Sequence, residues 1–375
     1  MTSWQKWMAG ELDGVRDAGR WRSLRTFDSR GPAGELDGTS IVSYASNDYL
    51  GLSSHPDVIN AACEAARRWG TSATASRLVV GNRPAHTDLE LDLADWKHTD
   101  RALVFATGYA ANVAVLTVFG GPDVTVFSDE LNHASIIDGC RLSRSRLVVY
   151  PHLDLDWLAD QLHHTSGRSI VVTDAVFSMD GDLADTVALA ALCATHGALL
   201  VLDEAHSVVG PDEQLDPAAV IVRVGTLSKT LGSLGGFVAA GTDVIDLLIN
   251  RARPFIFSTG LTPPDAAAAQ AALSILRSDA GRDLIARLEH VTDRVKPGHP
   301  SPIIPIVIGD ERAALHASQA LAERGILIPA IRPPTVPPGT SRLRLALSAA
   351  HTDQMIDNLI DALVELVPSA FTNAS

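Results

Sequence analysis

Ala198-Leu199-Leu200-Val201-Leu202-Asp203-Glu204-Ala205-His206 is the stretch on which the fold turns. An apolar run ending in aspartate is how a buried strand delivers a carboxylate to the carboxyl edge of a parallel sheet. A second apolar run, Val220-Ile221-Val222-Arg223-Val224, ends just before Gly225-Thr226-Leu227-Ser228-Lys229, so a lysine lands near the same edge. Singly, an acidic strand end and a lysine are ordinary surface features. Opposite charges brought to one sheet edge mark a site.

Outward from that pair, short β-branched runs alternate with Ala-rich runs from about 41 to 270. Candidate strands lie at 102–105, 124–127, 147–150, 170–173, 199–202, 220–224 and 236–240. Segments such as 109–118, 154–164 and 184–195 have helical length and composition. The alternation predicts an α/β fold, a mostly parallel seven-stranded sheet with helices on both faces. Ligands then sit at the carboxyl ends of the strands.

After Pro263-Pro264 the pattern changes. An Ala-rich helix over 265–276 leads into a smaller α+β block. It reads as a strand at 302–309, a helix at 312–324, a strand at 326–331, a strand at 343–348 and a terminal helix at 352–366. Residues 1 to about 40 read as a helical arm followed by a Gly/Asp-rich turn, G-P-A-G-E-L-D-G. The expected division is an arm (1–40), a large domain (41–270) and a C-terminal α+β domain (271–375). A length of 375 residues fits more than one domain.

The chain is 46% hydrophobic and 20% charged, which excludes bulk disorder. A formal charge of −14 argues against nucleic acid as partner and leaves no basic face for anionic lipid. Cys63, Cys140 and Cys193 have no CxxC spacing and read as buried thiols of a reducing compartment. The N-terminus has no apolar signal core, and the most apolar stretch, Val187 to Leu202, is broken at Thr195-His196-Gly197. A cytoplasmic protein away from membranes is expected.

The Asp203/Lys229 pairing is what pyridoxal 5'-phosphate (PLP) requires: a lysine amine to condense with its aldehyde and a carboxylate to keep its ring nitrogen protonated. Lys229 is then the catalytic lysine, and Asp203 the partner of the ring N–H. His206, three residues after Asp203, is placed on the phenolic oxygen; otherwise it is a structural turn histidine. Thr107-Gly108-Tyr109 follows a strand and opens a helix, where free N–H groups cradle phosphate. Thr226 is a further phosphate donor. His133, after the 124–127 strand, can stack on a flat ring; the alternatives are a core histidine or a metal ligand, and it has no second ligand at helical spacing. No metal site is expected. Ser178 can bond the cofactor or substrate. Arg342 and Arg344 share one strand face, which the pattern alone reads as solvated.

These segments together resemble the α-oxoamine synthases, PLP-dependent transferases of fold type I, over nearly the whole chain. The resemblance is carried by S-N-D-Y-L-G-L (46–52), S-H-P-D-V-I (54–59), S-R-L-V-V-G-N-R-P-A-H-T-D-L-E (76–90) and T-G-Y-A-A-N (107–112). It continues in N-H-A-S-I-I-D-G (132–139), F-S-M-D-G-D (177–182), D-E-A-H (203–206) and T-L-S-K-T-L-G (226–232). It implies catalytic roles for Lys229, His133, Asp203 and His206, and an amino-acid carboxylate held by Asn47 and Arg344. It further implies an acyl contact from Arg22 (or Arg25), and a homodimer whose shared active site takes Ser258 and Thr259 from the neighbouring chain. I-R-P-P-T-V-P-P-G-T-S-R-L-R-L (331–345) is similar to the branch that joins L-alanine to a pimeloyl thioester of CoA or acyl carrier protein, in biotin synthesis.

Relatives differ in three places. The segment after His206, Ser207-Val208-Val209-Gly210-Pro211-Asp212-Glu213, is several residues short; the turn at 70–76 is poor in Gly; and the stretch near 290–300 is short. The rival within the family uses glycine or serine with another acyl thioester. Small changes in an acyl pocket shift such choices by only about 1–3 kcal/mol. The rival from another class is a non-catalytic binding protein on the same fold, which would be expected to lose Lys229 or Asp203.

Overall fold

The computed structural model describes residues 1–208 and 214–368. A first helix, Ser3–Asp17, is followed by three short antiparallel strands, β1 (Phe27–Ser29), β2 (Ala33–Leu36) and β3 (Thr39–Ser43). The expected Gly/Asp-rich turn is therefore two turns with a strand between them. Gly31 and Gly38, both at positive φ, sit at its ends, and their composition masks β2.

The central sheet is built from β4 (Arg101–Phe105), β5 (Val124–Asp129), β6 (Arg146–Tyr150), β7 (Arg168–Asp174), β8 (Leu199–Asp203), β9 (Val220–Thr226) and β10 (Gly236–Ala240). Their order is β4-β10-β9-β8-β7-β5-β6. β10 alone runs opposite to the other six strands. All seven expected strands are present, most extended by one to three residues. Helices cover both faces. One core packs the 56–69, 84–96 and 263–276 helices and the C-terminal residues on the sheet. The others pack the 108–119, 134–143 and 242–251 helices, and the 155–163 and 186–196 helices.

The C-terminal block holds β11 (Ile303–Gly309), β12 (Ile326–Leu327), β13 (Ala330–Ile331) and β14 (Ser341–Ala346). The run expected as one strand at 326–331 is split. β12 pairs parallel to β3, and β13 antiparallel to β14. Residues 39–43 are thus joined to the C-terminal block by a sheet. The strand expected at 343–348 begins two residues earlier. Every residue of β14 is buried, so Arg342 and Arg344 do not lie on a solvated face. The buried polar edge of the large domain, described below, gives them partners.

Cys140 and Cys193 are buried as expected, but Cys63 is exposed on the 56–69 helix. In the Gly-poor turn at 70–76, Thr74 takes φ 66, a region that strains a β-branched residue. Part of the shortened segment after His206, residues 209–213, lies outside the described residues. The short stretch near 290–300 holds the end of the Asp279–Val295 helix and the turn into β11.

Candidate active site

Parallel strands deliver their last residues to one edge. Asp174 ends β7 and Asp203 ends β8, and the two are direct neighbours in the ladder. Lys229 lies in the β9–β10 connection, and His133 caps the Ala134–Ser143 helix after β5. Thr107 caps the Gly108–Phe119 helix after β4, its hydroxyl accepting from the Ala110 N–H at 3.0 Å. A cavity of about 260 Å³ lies among them, lined by Thr107, Gly108, Tyr109, Asn112, His133, Ser135, Asp174, Asp203, His206, Thr226 and Lys229.

Close backbone approach shapes one wall. A Cβ on Gly236 would lie 2.4 Å from the Gly108 nitrogen, and one on Gly232 would lie 2.3 Å from the Ser53 nitrogen. These glycines let the turn after Lys229 pack against the helix start at 108 and against residues 52–53. The Thr226 hydroxyl donates to the Gly235 carbonyl at 2.9 Å.

Charge is arranged in depth. One oxygen of Asp203 accepts from Asn112 Nδ2 at 2.6 Å, the other from the Ala205 N–H at 2.9 Å. Asp174 accepts from the His133 N–H at 3.0 Å. Burial, then the neighbouring Asp203 charge, pushes the Asp174 carboxyl well up. Burial lowers the Lys229 ammonium, against the pull of Asp203 and Asp174. Lys229 Nζ lies 2.9 Å from His206 Nε2, and His206 Nδ1 lies 2.7 Å from the Tyr49 hydroxyl. Burial and then the Lys229 charge hold His206 well below the usual imidazole range. Burial pushes the Tyr49 phenol up to about 12.

Tyr49 extends the array toward the C-terminal block. Its hydroxyl is 3.2 Å from Asn47 Oδ1, which accepts from Arg344 at 3.1 Å. The Ser178 carbonyl accepts from Arg344 Nε at 2.5 Å. Ser178 does not line that cavity, and its carbonyl supports Arg344. Arg342 pairs with Asp180 of the same segment. Arg22 is exposed and, among the described residues, has no hydrogen-bond or ion-pair partner, while Arg25 pairs with Asp37 at 2.7 Å. Ser258 and Thr259 are exposed and line no part of the cavity.

Glu204, beside Asp203, turns the other way. It is buried with Lys97 at 2.7 Å and with Arg223. Burial alone would raise its pKa; the two cations outweigh that and lower it. A wider cleft of about 800 Å³ opens beyond Glu204 and His206, against the Asp279–Val295 helix. It contains neither Lys229 nor Asp203, so chemistry and not size selects the smaller cavity. Asn112, Ser135, Asp174 and Tyr49 were not singled out from sequence. Three of them lie within the motif strings, but a string does not say which side chain points inward; Asp174 had only its place at a strand end.

The residues present fit PLP. A part-buried lysine, a carboxylate, a ring-sized histidine and a glycine-lined helix start share one cavity. The aminotransferase class I and II family model matches residues 39–363. The 8-amino-7-oxononanoate synthase of Anaeromyxobacter dehalogenans is 47% identical over 384 residues, 96% of each chain. Among solved structures, the serine palmitoyltransferase of S. paucimobilis with a bound PLP–myriocin conjugate superposes with a TM-score of 0.90 at 27% identity, covering 99% of this chain and 100% of that one. The 8-amino-7-oxononanoate synthase of Francisella tularensis superposes at 0.72 with 26% identity, covering 88% and 98%. Fold and site thus define a PLP-dependent transferase of fold type I. The chain belongs to the 8-amino-7-oxononanoate synthase family.

Proposed function

We propose that this enzyme condenses L-alanine with a pimeloyl thioester, of CoA or acyl carrier protein, and releases CO2. The observation that carries the proposal is the continuous array from Arg344 through Asn47, Tyr49 and His206 to Lys229, which joins a carboxylate-binding cation to the reacting amine. PLP, when bound, supplies an aldehyde that condenses with amines and a ring that accepts an electron pair from Cα. Lys229 holds the cofactor at rest, then removes the Cα proton of alanine; burial, by lowering its ammonium pKa, suits it to accept that proton. With PLP bound, Asp203 would keep the ring nitrogen protonated, His206 would meet the phenolic oxygen, and His133 would stack on the ring. Thr107, Gly108 and Tyr109 would take the phosphate, joined by Thr226 once its hydroxyl turns away from the Gly235 carbonyl. Arg344, with Asn47, clamps the alanine carboxylate.

The alanine Cα bonds to the thioester carbonyl carbon, and the C–S bond breaks to release the thiol. The Cα–carboxylate bond then breaks, CO2 leaves, and a proton returns to Cα. Arg22 on the exposed arm contacts the acyl side. A homodimer is part of this reading. The Ser3–Asp17 helix buries none of its residues and exposes Trp4, Trp7, Met8 and Leu12. Leu78, Val79, Val80 and Phe257 are also exposed. A second copy covering these surfaces would bring Ser258 and Thr259, next to Phe257, to its neighbour's phosphate. No helix among the described residues is long and apolar enough to cross a membrane.

The likeness to serine palmitoyltransferase favours a second reading, serine with a longer acyl chain. Its 27% identity against 47% for the alanine-using branch ranks it second. Lys229→Ala tests the chemistry. It should abolish the visible absorption band of bound PLP and lower alanine-dependent thiol release by at least about 10⁴-fold, the scale on which removing an activated nucleophile acts. A variant that releases thiol at the wild-type rate would overturn the assignment.

A further inference from the structure

Asn112 lies within T-G-Y-A-A-N, on the first turns of the Gly108–Phe119 helix, 2% exposed. Its Nδ2 donates twice, to Asp203 Oδ2 at 2.6 Å and to Ser135 Oγ at 2.9 Å. Both amide hydrogens are used, and Oδ1 has no partner among the described residues. A flipped amide would set its oxygen against the Asp203 carboxylate, so charge fixes the orientation.

The next link fixes a tautomer. The Ser135 N–H donates to His133 Nδ1 at 3.2 Å, so that nitrogen is bare. The Ser135 hydroxyl lies 2.7 Å from the same nitrogen and can only donate to it. Its oxygen is then free to accept from Asn112. Every donor and acceptor from His133 to Asp203 is determined, and the neutral imidazole carries its hydrogen on Nε2. Burial, against the Asp203 charge, holds His133 below its ordinary value, which favours the neutral ring.

We propose that Asn112 is a positioning residue. Through Ser135 it locks the Asp203 carboxylate and the His133 imidazole into one hydrogen-bonded array, with the His133 hydrogen on Nε2. The inference rests on the PLP reading of the cavity. In that reading Asp203 meets the ring edge and His133 the ring face, so one side chain sets the angle between the two. A carboxylate held by two donors is oriented before the cofactor arrives.

The test is PLP titration of the cofactor-free protein, followed by absorbance, with nitrogen NMR of the histidines. Asn112→Ala and the isosteric Asn112→Asp should each weaken PLP binding by tenfold or more. They should also lower kcat by tenfold or more, with KM for alanine changed less than threefold, because Arg344 and Asn47 bind its carboxylate elsewhere. Ser135→Ala breaks only the histidine arm. It should weaken, without abolishing, the Nε2–H preference of His133, because the backbone N–H at 135 still donates to Nδ1, and the double variant should lose less than the product of the two single losses. If Asn112→Ala does not fold, Asn112→Asp and Ser135→Ala carry the test. PLP affinity and kcat within twofold of wild type, or losses that multiply independently with the His133 tautomer unchanged, would overturn the inference. Wild-type protein that takes up no PLP would instead refute the cavity's reading, and the tautomer signal of the cofactor-free protein would still judge the array.

Discussion

Tyr49 sits in S-N-D-Y-L-G-L, one of the strings by which the family is recognised, yet nothing in the string says that its hydroxyl faces His206. In the structure it is fully buried and lies 2.7 Å from His206 Nδ1. Removing that hydroxyl leaves a buried ring nitrogen without its partner, at a cost of about 1–3 kcal/mol. Tyr49→Phe should therefore unfold at lower denaturant by that amount and turn over more slowly, while retaining the PLP band through Lys229. An unchanged midpoint and rate would show the bond to be idle. At this scale the sequence singles out Lys229, Asp203, His206 and His133 by residue type, and the structure brings all four to one cavity. Residues that orient them, such as Tyr49 and Asn112, were hidden, because orientation is set by packing partners far away in sequence.

Strands were the most legible elements. Seven apolar runs of four or five residues could hardly be anything else, and the register that places Asp174 beside Asp203 follows from their parallel pairing. Composition failed where turn residues flank a short strand, as at β2, and where Pro329 separates two short strands, as between β12 and β13. It also failed on β14, because burial of two arginines depends on acceptors elsewhere: Asp180, the Ser178 carbonyl and Asn47. A second buried charge group belongs to this scale. Glu204 directly follows β8 and faces Lys97 and Arg223. Breaking such a set from one side leaves like charges buried together, typically costing about 3–5 kcal/mol. Glu204→Gln should show that loss in chemical unfolding; a loss below about 1 kcal/mol would mean water reaches the pair.

Across the whole molecule, the segment Ser178 to Asp182 fastens the C-terminal block to the sheet edge. Arg344, Arg342 and Ser301 bind it from one side, the last through the Gly181 carbonyl at 2.7 Å. His152 binds it from the other, 2.7 Å from Asp182 and 2.9 Å from Asp129. Burial would lower the His152 pKa, but the two carboxylates outweigh it and push it up to about 10. The unfolded chain gives up that proton near pH 6.5 and the folded one keeps it to about 10. The contribution is thus complete below about pH 6.5 and is lost as pH rises toward about 10, by at most about 1 kcal/mol per pH unit. Unfolding midpoints measured from pH 7 to 10 should fall, and His152→Gln should flatten the fall. A slope that is the same in both proteins would contradict this account of the fastening. None of it was readable from F-S-M-D-G-D alone, since a motif shared with a family does not reveal whether it touches the ligand or holds the block that does.

The central claim is that the cavity takes alanine and a pimeloyl thioester. The direct measurement is free thiol released from pimeloyl-CoA by the PLP-loaded protein, with L-alanine compared against glycine and L-serine. One methyl group or hydroxyl is worth about 1–3 kcal/mol in such a pocket, or roughly tenfold to two hundredfold. The account predicts release with alanine, at least tenfold faster than with either alternative. Release that is faster with serine or glycine, or none with alanine whether the pimeloyl group is carried by CoA or by acyl carrier protein, would contradict it.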